Sequence, residues 1–494
     1  MSETHLPEAI VGLEPEAVWR NFAEFAARPR PSGLEEAVRE YVKGWARERG
    51  FGFSWDEIGN LVVRAPGRGK GVDAAPVIIQ GHMDMVCEKN ADVEHDFEKD
   101  PILLRRVEDR IFANNTTLGA DNAIGVALGM AAAEGLFEHH PPLELLLTVD
   151  EETGMSGARE LDISMLSAAR MINLDAEEEG TLYVGCAGGR DTIAVLPIER
   201  VEAEAEHVAM ELELKGLRGG HSGLDIICNR GNAIRLLAHA LEALREHGLE
   251  WSLVELTGGS KRNALAREAR AVVRMKLEHA TQLPDVLGGI TAELEKLHAD
   301  SDPVVILLAE RVHDERGPLT QEVERSLLQY LRVVPHGVTS MSQAVAGLVE
   351  TSTNLGVVRV SGESIEVVSC TRSSNDAALG HLVGQITTTG ELCGLLVRHE
   401  GGYPGWQPNL QSELLAISEK VFTELGGGEK PEVTAIHAGL ECGLLGGLMP
   451  ELDMISFGPD IRDAHSPDES VSIASVANVA KQVGALLEVL CSEG

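Results

Sequence analysis

No two cysteines of this chain form a CxxC pair, and the seven present (Cys87, Cys186, Cys228, Cys370, Cys393, Cys442 and Cys491) are odd in number and widely spaced. A cysteine-built zinc site is therefore excluded, and free thiols in a reducing, cytoplasmic compartment are expected in place of a disulfide framework. Basic residues are scarce as well. The chain carries 42 Lys and Arg against 78 Asp and Glu, a net charge of −36. That balance disfavours nucleic acid or an anionic membrane as a partner and favours solubility. No GxGxxG follows a strand pattern and no GxxxxGK[ST] occurs, so nucleotide binding is not indicated. No apolar run is read as long enough to span a bilayer, and the opening MSETHLPEAIVGLEPE lacks the basic-then-apolar order of a secretory signal.

What remains is a globular chain of 494 residues, too long for one core. Residues 14–27 and 34–49 have helical spacing, separated by the break Pro31-Ser32-Gly33. Residues 60–64, 76–80, 143–149 and 171–174 read as strands, and 121–137 as an alanine-rich helix. The continuous apolar character of 76–80 suits a strand covered on both faces, and 143–149 reads as another buried strand. Strands alternating with helices imply an α/β fold with a mainly parallel sheet flanked by helices. After VGCAGG (184–189) the pattern changes to strand-like runs at 207–214, 271–276, 304–308, 357–360 and 365–370. Helical stretches at 232–246, 283–297, 321–331 and 376–389 are interleaved with them. This predicts an inserted α+β domain over 187–394, large enough for two similar halves although no clear internal repeat is visible. The first domain, 1–186, is expected to resume over 395–494, with helices at 413–425 and 475–490 and a short strand at 454–456.

Acids and histidines gather where the predicted strands end, the edge at which α/β sheets bind ligands. They are His82 and Asp84 in GHMDMV, Asp121 in LGADNAIG, Glu151 and Glu152 in TVDEETG, and Asp175 in INLDAEEEG. His465 in DAHSPDE precedes the last helix. Oxygen and imidazole donors without cysteine suit a hydrolytic two-metal centre. Two residues apart on extended chain, His82 and Asp84 face one side, so one can bind metal while the other supports the ring. Asp121 has the alternative of a helix N-cap, or of bridging two metals with Asn122 fixing it. Adjacent acids at the end of a buried strand need a reason, because unpaired buried charge is costly. One of Glu151 and Glu152 can bind metal while the other acts as general base on an activated water. Asp150 and Glu177–Glu179 read as solvated acidic turns. His437 in IHAGLECG competes with His465. In RGGHSGLD (218–225), His221 sits among glycines, where it can approach a substrate and donate to an oxyanion. Arg372 in CTRSS could clamp a substrate carboxylate, and Asn263 in GGSKRNALAREA could hold substrate backbone groups.

Over almost its entire length the chain resembles the co-catalytic zinc metallopeptidases that include peptidase T, carboxypeptidase G and the carnosinases. It looks most like their bacterial aminoacyl-histidine (Xaa-His) dipeptidases. The motifs that carry the likeness are GHMDMVCEKN, TTLGADNAIG, LLLTVDEETGMSGA, INLDAEEEG, YVGCAGG, KGLRGGHSG, GGSKRNALAREA, EGGYPGWQP, IHAGLECG and GPDIRDAHSPDE. ALARE stands where an ALPRE-like sequence is expected around Ala266, while Asn263 is intact. The resemblance implies a zinc-exopeptidase-like catalytic domain whose insert is a lid, its halves mimicking a dimer interface. It further implies that His82 and Asp175 bind one metal, Glu152 and His465 the other, and Asp121 both. Glu151 would be the base, Asp84 the support of His82, and His221 the oxyanion donor.

The expected activity is thus a zinc-dependent dipeptidase, monomer or homodimer, cleaving dipeptides with a free amino end, Xaa-His among them. Its cofactors are two divalent ions, and manganese or cobalt would also suit these donors. The rival expectations are an aminoacylase or tripeptidase-type amidohydrolase and a metal-holding homologue without catalysis.

Overall fold

A computed structural model of the chain describes residues 6–302 and 304–492. The chain divides into two units. One comprises the segment ending at Gly185 together with Pro408–Ala435 and the segment from Leu440 onward. The other comprises Cys186–Gln407 with Ile436–Gly439.

In the first unit an eight-stranded sheet runs in the order Gly52–Trp55, Leu61–Ala65, Leu143–Thr148, Val77–His82, Arg170–Asn173, Asp453–Ser456, Thr181–Cys186 and Glu432–Ile436. Its four central strands, from Leu143–Thr148 to Asp453–Ser456, are mutually parallel. The flanking pairings that follow them on either side are antiparallel. Every residue of Val77–His82 and Leu143–Thr148 is buried, which accounts for their mostly apolar sequences, Gln80 and Glu144 being the buried polar exceptions before the strand ends. Because the three strands that precede the candidate ligands are parallel, their carboxyl ends share one edge of the sheet. His82 lies opposite Thr148, and Gln80 opposite Asn173.

The helix Ala120–Glu134 covers this sheet with alanine and glycine, which permit close approach. At Gly125 an added Cβ would lie 2.3 Å from the Leu174 carbonyl oxygen, and at Gly81 2.1 Å from Asn122 Oδ1. The last helix, Ile473–Leu490, corrects the expectation that no apolar run reaches membrane-spanning length. Its 18 residues have a mean hydropathy of 1.4. Its apolar stripe (Val476, Val479, Val483, Leu486, Leu487 and Leu490) is committed to the core of this unit.

The second unit holds a nine-stranded antiparallel sheet. It consists of two halves with the same topology, strand–helix–strand–strand–helix–strand. One half is His207–Lys215, Ala233–Glu246, Ser252–Gly258, Ala269–Lys276, Leu277–Leu297 and Ile306–Val312. The other is Gly188–Pro197, Gln321–Val333, Val349–Ser361, Ser364–Ser373, Asp376–Leu392 and Leu396–Tyr403, with Gly337–Met341 added beside Val349–Ser361. In each half the spatial strand order is fourth, first, third, second. The two second strands meet, with Gly258 opposite Val358. The first half lies wholly between the first strand and first helix of the other.

The return to the first unit comes at Pro408, not at 395 as expected. Leu396–Tyr403 pairs with Gly188–Pro197 at the sheet edge. Its sequence carries Arg398, His399 and Glu400, so no apolar run marks it as a strand. The segment Ile436–Gly439 also joins the second unit, where the Ala187 amide donates to the carbonyls of Ile436 and Ala438.

Glycine contacts separate tolerant from intolerant sites. Gly288 lies exposed on the helix Leu277–Leu297, where an added Cβ would meet nothing within 4 Å. Gly288→Ala should stabilise the protein by about 0.5–1 kcal/mol. Gly125→Ala should cost about 1–3 kcal/mol through overpacking. Urea unfolding monitored by circular dichroism checks both signs.

Candidate metal centre

Three strand ends, the first turn of the helix Ala120–Glu134 and one loop build the centre. His82 is the last residue of its strand. Glu151 and Glu152 open a short helical turn, Glu151–Gly154, after Leu143–Thr148, and Asp175 follows Arg170–Asn173 by two residues. His82 Nε2 lies 2.9 Å from Asp121 Oδ1 and 3.3 Å from Asp175 Oδ1. His465 Nε2 lies 3.2 Å from Asp121 Oδ2 and 3.0 Å from Glu152 Oε2. Asp121 thus presents one oxygen to each group, and the donor atoms of each triad lie within 4.8 Å of one another. His465 reaches the cluster from a left-handed backbone conformation (φ 63°), although half of its side chain is exposed.

Asp84 stands behind this set. Its Oδ1 lies 3.3 Å from His82 Nδ1, which leaves Nε2 directed at the cluster. Asp84 also accepts from Ser32 Oγ at 2.8 Å and from the backbone amides of Glu151 and Glu152 at 3.1 and 3.2 Å. One carboxylate therefore orients the histidine and the turn bearing the two glutamates. Burial opposes its charge, yet His82 and Ser32 hold its pKa down to about 2.

Asp121 is not the N-cap that one sequence alternative allowed. It lies inside the first turn of its helix with non-helical backbone angles. The carboxylate of Glu469, four residues after His465, takes over the capping. Its two oxygens accept from the amides of Leu118, Gly119, Ala120 and Asp121 at 2.7, 2.9, 2.8 and 3.4 Å. The buried Arg30 holds the same turn from its carbonyl side, donating to Gly119, Met83 and Asp84. Sequence reasoning missed both residues, because their partners are backbone groups far along the chain. Asn122 donates to the Leu174 carbonyl at 2.6 Å and so anchors the residue before Asp175, not Asp121.

The acidic turns also differ from expectation. Asp150 accepts from Thr153 and Ser156 and is not merely solvated. Glu178 and Glu179 are exposed, whereas Glu177 is half-buried. Burial, with Asp121 nearby, pushes its pKa up to about 8. The signal that could have found it is its position, two residues beyond Asp175.

The electrostatics favour a cation. Burial raises Glu151, Glu152 and Asp175, and neighbouring carboxylates add to the rise. Asp121 is held very low despite burial, through His465 and His82. Hydrogen bonds to Asp121 and Glu152 push His465 up to about 11. For His82, burial is outweighed by Asp175, Asp121 and Asp84, and its pKa also rises. Asp175 Oδ1 and Glu152 Oε1 are buried and accept no hydrogen bond. Crowded carboxylates with unused buried oxygens, beside imidazoles driven to carry positive charge, fit two divalent ions sharing Asp121.

In the second unit the other three candidates converge on one loop. His221 pairs as an isolated bridge with Ala264, and the Ser222 amide donates to the Asn263 carbonyl at 2.9 Å. Arg372, 7% exposed, lies 3.4 Å from Ser222 Oγ through Nε and donates to Tyr403 Oη at 3.1 Å. The Asn263 residue is exposed. His221 Nδ1 accepts from the amides of Gly223 and Leu224 at 3.3 and 3.1 Å. A neutral ring bound in this way carries its proton on Nε2. Burial, with Arg372 nearby, lowers the His221 pKa to about 4. His437, the competitor of His465, belongs to this unit, with Nε2 2.7 Å from Ser352 Oγ, and is a member of none of the candidate metal groups.

Residues 78–489 match the model of "Peptidase family M20/M25/M40". The chain belongs to this family. M20 relatives match it along nearly their whole length. The cytosol non-specific dipeptidase of Escherichia coli K12 is 38% identical over 466 residues, covering 94% of this chain and 96% of the relative. The crystal structure of aminoacylhistidine dipeptidase from Vibrio alginolyticus superposes with a TM-score of 0.87 at 38% identity, covering 99% of each chain. Aminopeptidase PepT from Bacillus cereus shares the M20 fold, with a TM-score of 0.56 at 15% identity over 97% of this chain and 99% of that one.

Two histidines of the second unit set an acid limit. Burial and Arg372 lower His437 to about 3, and His221 stands at about 4, against 6.5 for a free imidazole. Both are neutral when folded and take up protons on unfolding below pH 6.5. Their stabilisation is complete above that pH and is lost as pH falls toward 4 and 3. Their contribution to the unfolding midpoint should therefore fall between pH 6.5 and 4, and urea titrations should show His437→Gln losing less stability than the parent protein over that interval.

Proposed function

We propose that this chain is a zinc-dependent dipeptidase that hydrolyses dipeptides with a free amino end, Xaa-His substrates included, in the cytoplasm. The observation that carries this reading is the pair of histidine–carboxylate triads sharing Asp121, with Glu151 beside them. The names of the two 38%-identical relatives support it, one a non-specific dipeptidase and the other an aminoacylhistidine dipeptidase. His82, Asp121 and Asp175 would hold one ion, and Asp121, Glu152 and His465 the other. When bound, such ions lower the pKa of a water and polarise the scissile carbonyl.

The remaining steps belong to side chains. Glu151, fixed through its amide by Asp84, takes the proton of the attacking water and hands it to the leaving amine. Its burial, with the Asp175 and Glu152 carboxylates nearby, favours proton uptake. His221 donates through Nε2 to the oxyanion of the tetrahedral intermediate, and its neutral state suits that task. Arg372 clamps the substrate carboxylate, and Asn263 binds substrate backbone groups.

The deciding assay measures histidine release from β-Ala-His and amino-acid release from a panel of α-dipeptides, with metal-stripped protein and after zinc return. Zinc-dependent cleavage with Xaa-His among good substrates is expected. An N-acetylated dipeptide should resist cleavage, and its ready hydrolysis would favour an aminoacylase instead. Glu151→Ala should retain metal while losing about 10²–10⁴-fold in kcat. Surviving activity would remove Glu151 from the base role. His465→Ala should reduce bound zinc from two equivalents to one, whereas Asp121→Ala should weaken both, as read by metal analysis after dialysis.

A further inference from the structure

Beneath the ligands lies a buried carboxylate that the mechanism does not use. Glu441 opens the helix Glu441–Leu448 and is 0% exposed. Its Oε2 accepts from Gln80 Nε2 and Thr148 Oγ1, each at 2.6 Å. Gln80 in turn accepts from Asn173 Nδ2 at 2.5 Å, and Asn173 Oδ1 receives the Asp175 amide at 3.3 Å. Gln80 lies two residues before His82, Thr148 three before Glu151, and Asn173 two before Asp175. One side chain from a distant helix is therefore bonded, directly or through one partner, to all three strands that deliver ligands. A buried acid in this position is costly unless its bonds do something.

We propose that Glu441 is a positioning residue for the metal centre, acting as the common hydrogen-bond acceptor that keeps the strand ends of His82, Glu151–Glu152 and Asp175 in register for cation binding. The inference rests on the two-metal reading above. Residues that orient ligands from behind typically change metal affinity by about 10–100-fold when lost. Glutamine offers the same acceptor oxygen to both donors and methionine does not. Serine keeps the hydroxyl of Thr148 and valine does not.

The test is zinc affinity, read by competition of metal-free full-length protein against a chromogenic chelator. Thermal unfolding of the metal-free forms serves as the fold control. Glu441→Met and Thr148→Val should each bind zinc roughly tenfold or more weakly, while Glu441→Gln and Thr148→Ser should stay near the parent protein. If Glu441→Met does not fold, the isosteric pair at Thr148 decides alone. Parent-like affinity in Thr148→Val overturns the proposal. So does a Glu441→Gln loss equal to that of Glu441→Met, because charge would then matter and not the bonds. If the parent protein itself takes up no zinc, the function proposed above fails. If it binds two equivalents and all variants match it, only this inference fails.

Discussion

Repulsion among carboxylates crowded at one edge of a parallel sheet is the constraint on which the first unit depends. Asp84, Asp121, Glu151, Glu152, Asp175, Glu177, Glu441 and Glu469 are buried or half-buried there. The positive charge beside them comes from Arg30 and from two imidazoles. Such an assembly persists only where each acid has bonded partners or a cation to bind. The division of labour follows that rule. Asp84 and Glu469 engage both oxygens with protein donors, and Glu441 engages one, Oε2. Asp175, Glu152 and Glu441 each keep a buried oxygen without a hydrogen bond among the described residues.

Rigidity of the strand ends makes this division workable. The central strands are locked in register by parallel pairing, so the side chains that follow them start from fixed points. The turn before Asp121 has no such ladder. Arg30 grips its carbonyl side and Glu469 its amide side, a pairing of opposite charges with opposite ends of the peptide dipole. The turn that presents Asp121, the proposed bridging residue, is thereby held from both sides.

The proposed ligand set was legible in the sequence because acids and histidines at the ends of apolar runs violate the rule that strands bury apolar residues. His82, Asp121, Glu152, Asp175 and His465 all announce themselves in this way or through motif likeness. Arg30, Gln80, Glu441 and Glu469 were not legible. Each bonds to groups distant in sequence, and a lone polar residue beside a helix start carries no mark of its partner. Leu396–Tyr403 was hidden because an edge strand can afford charge on both faces. Glu177 was misread because half-burial depends on what packs against it. Two similar halves were expected of the second unit from its size and from the resemblance, yet no internal repeat marked their bounds, because a shared topology needs no shared sequence.

The nesting of those halves has a consequence for how the second unit is assembled. His207–Val312 is a continuous stretch whose four strands can pair among themselves as soon as it exists. Gly188–Pro197 precedes it but pairs with strands that follow much later, Pro197 lying opposite Ser364. A chain made from its amino end therefore completes an entire half-sheet while the half it began first is still waiting for its partners. The strand that opens the unit is also among the last to find its neighbours, and loop closure across the finished half falls on that single step.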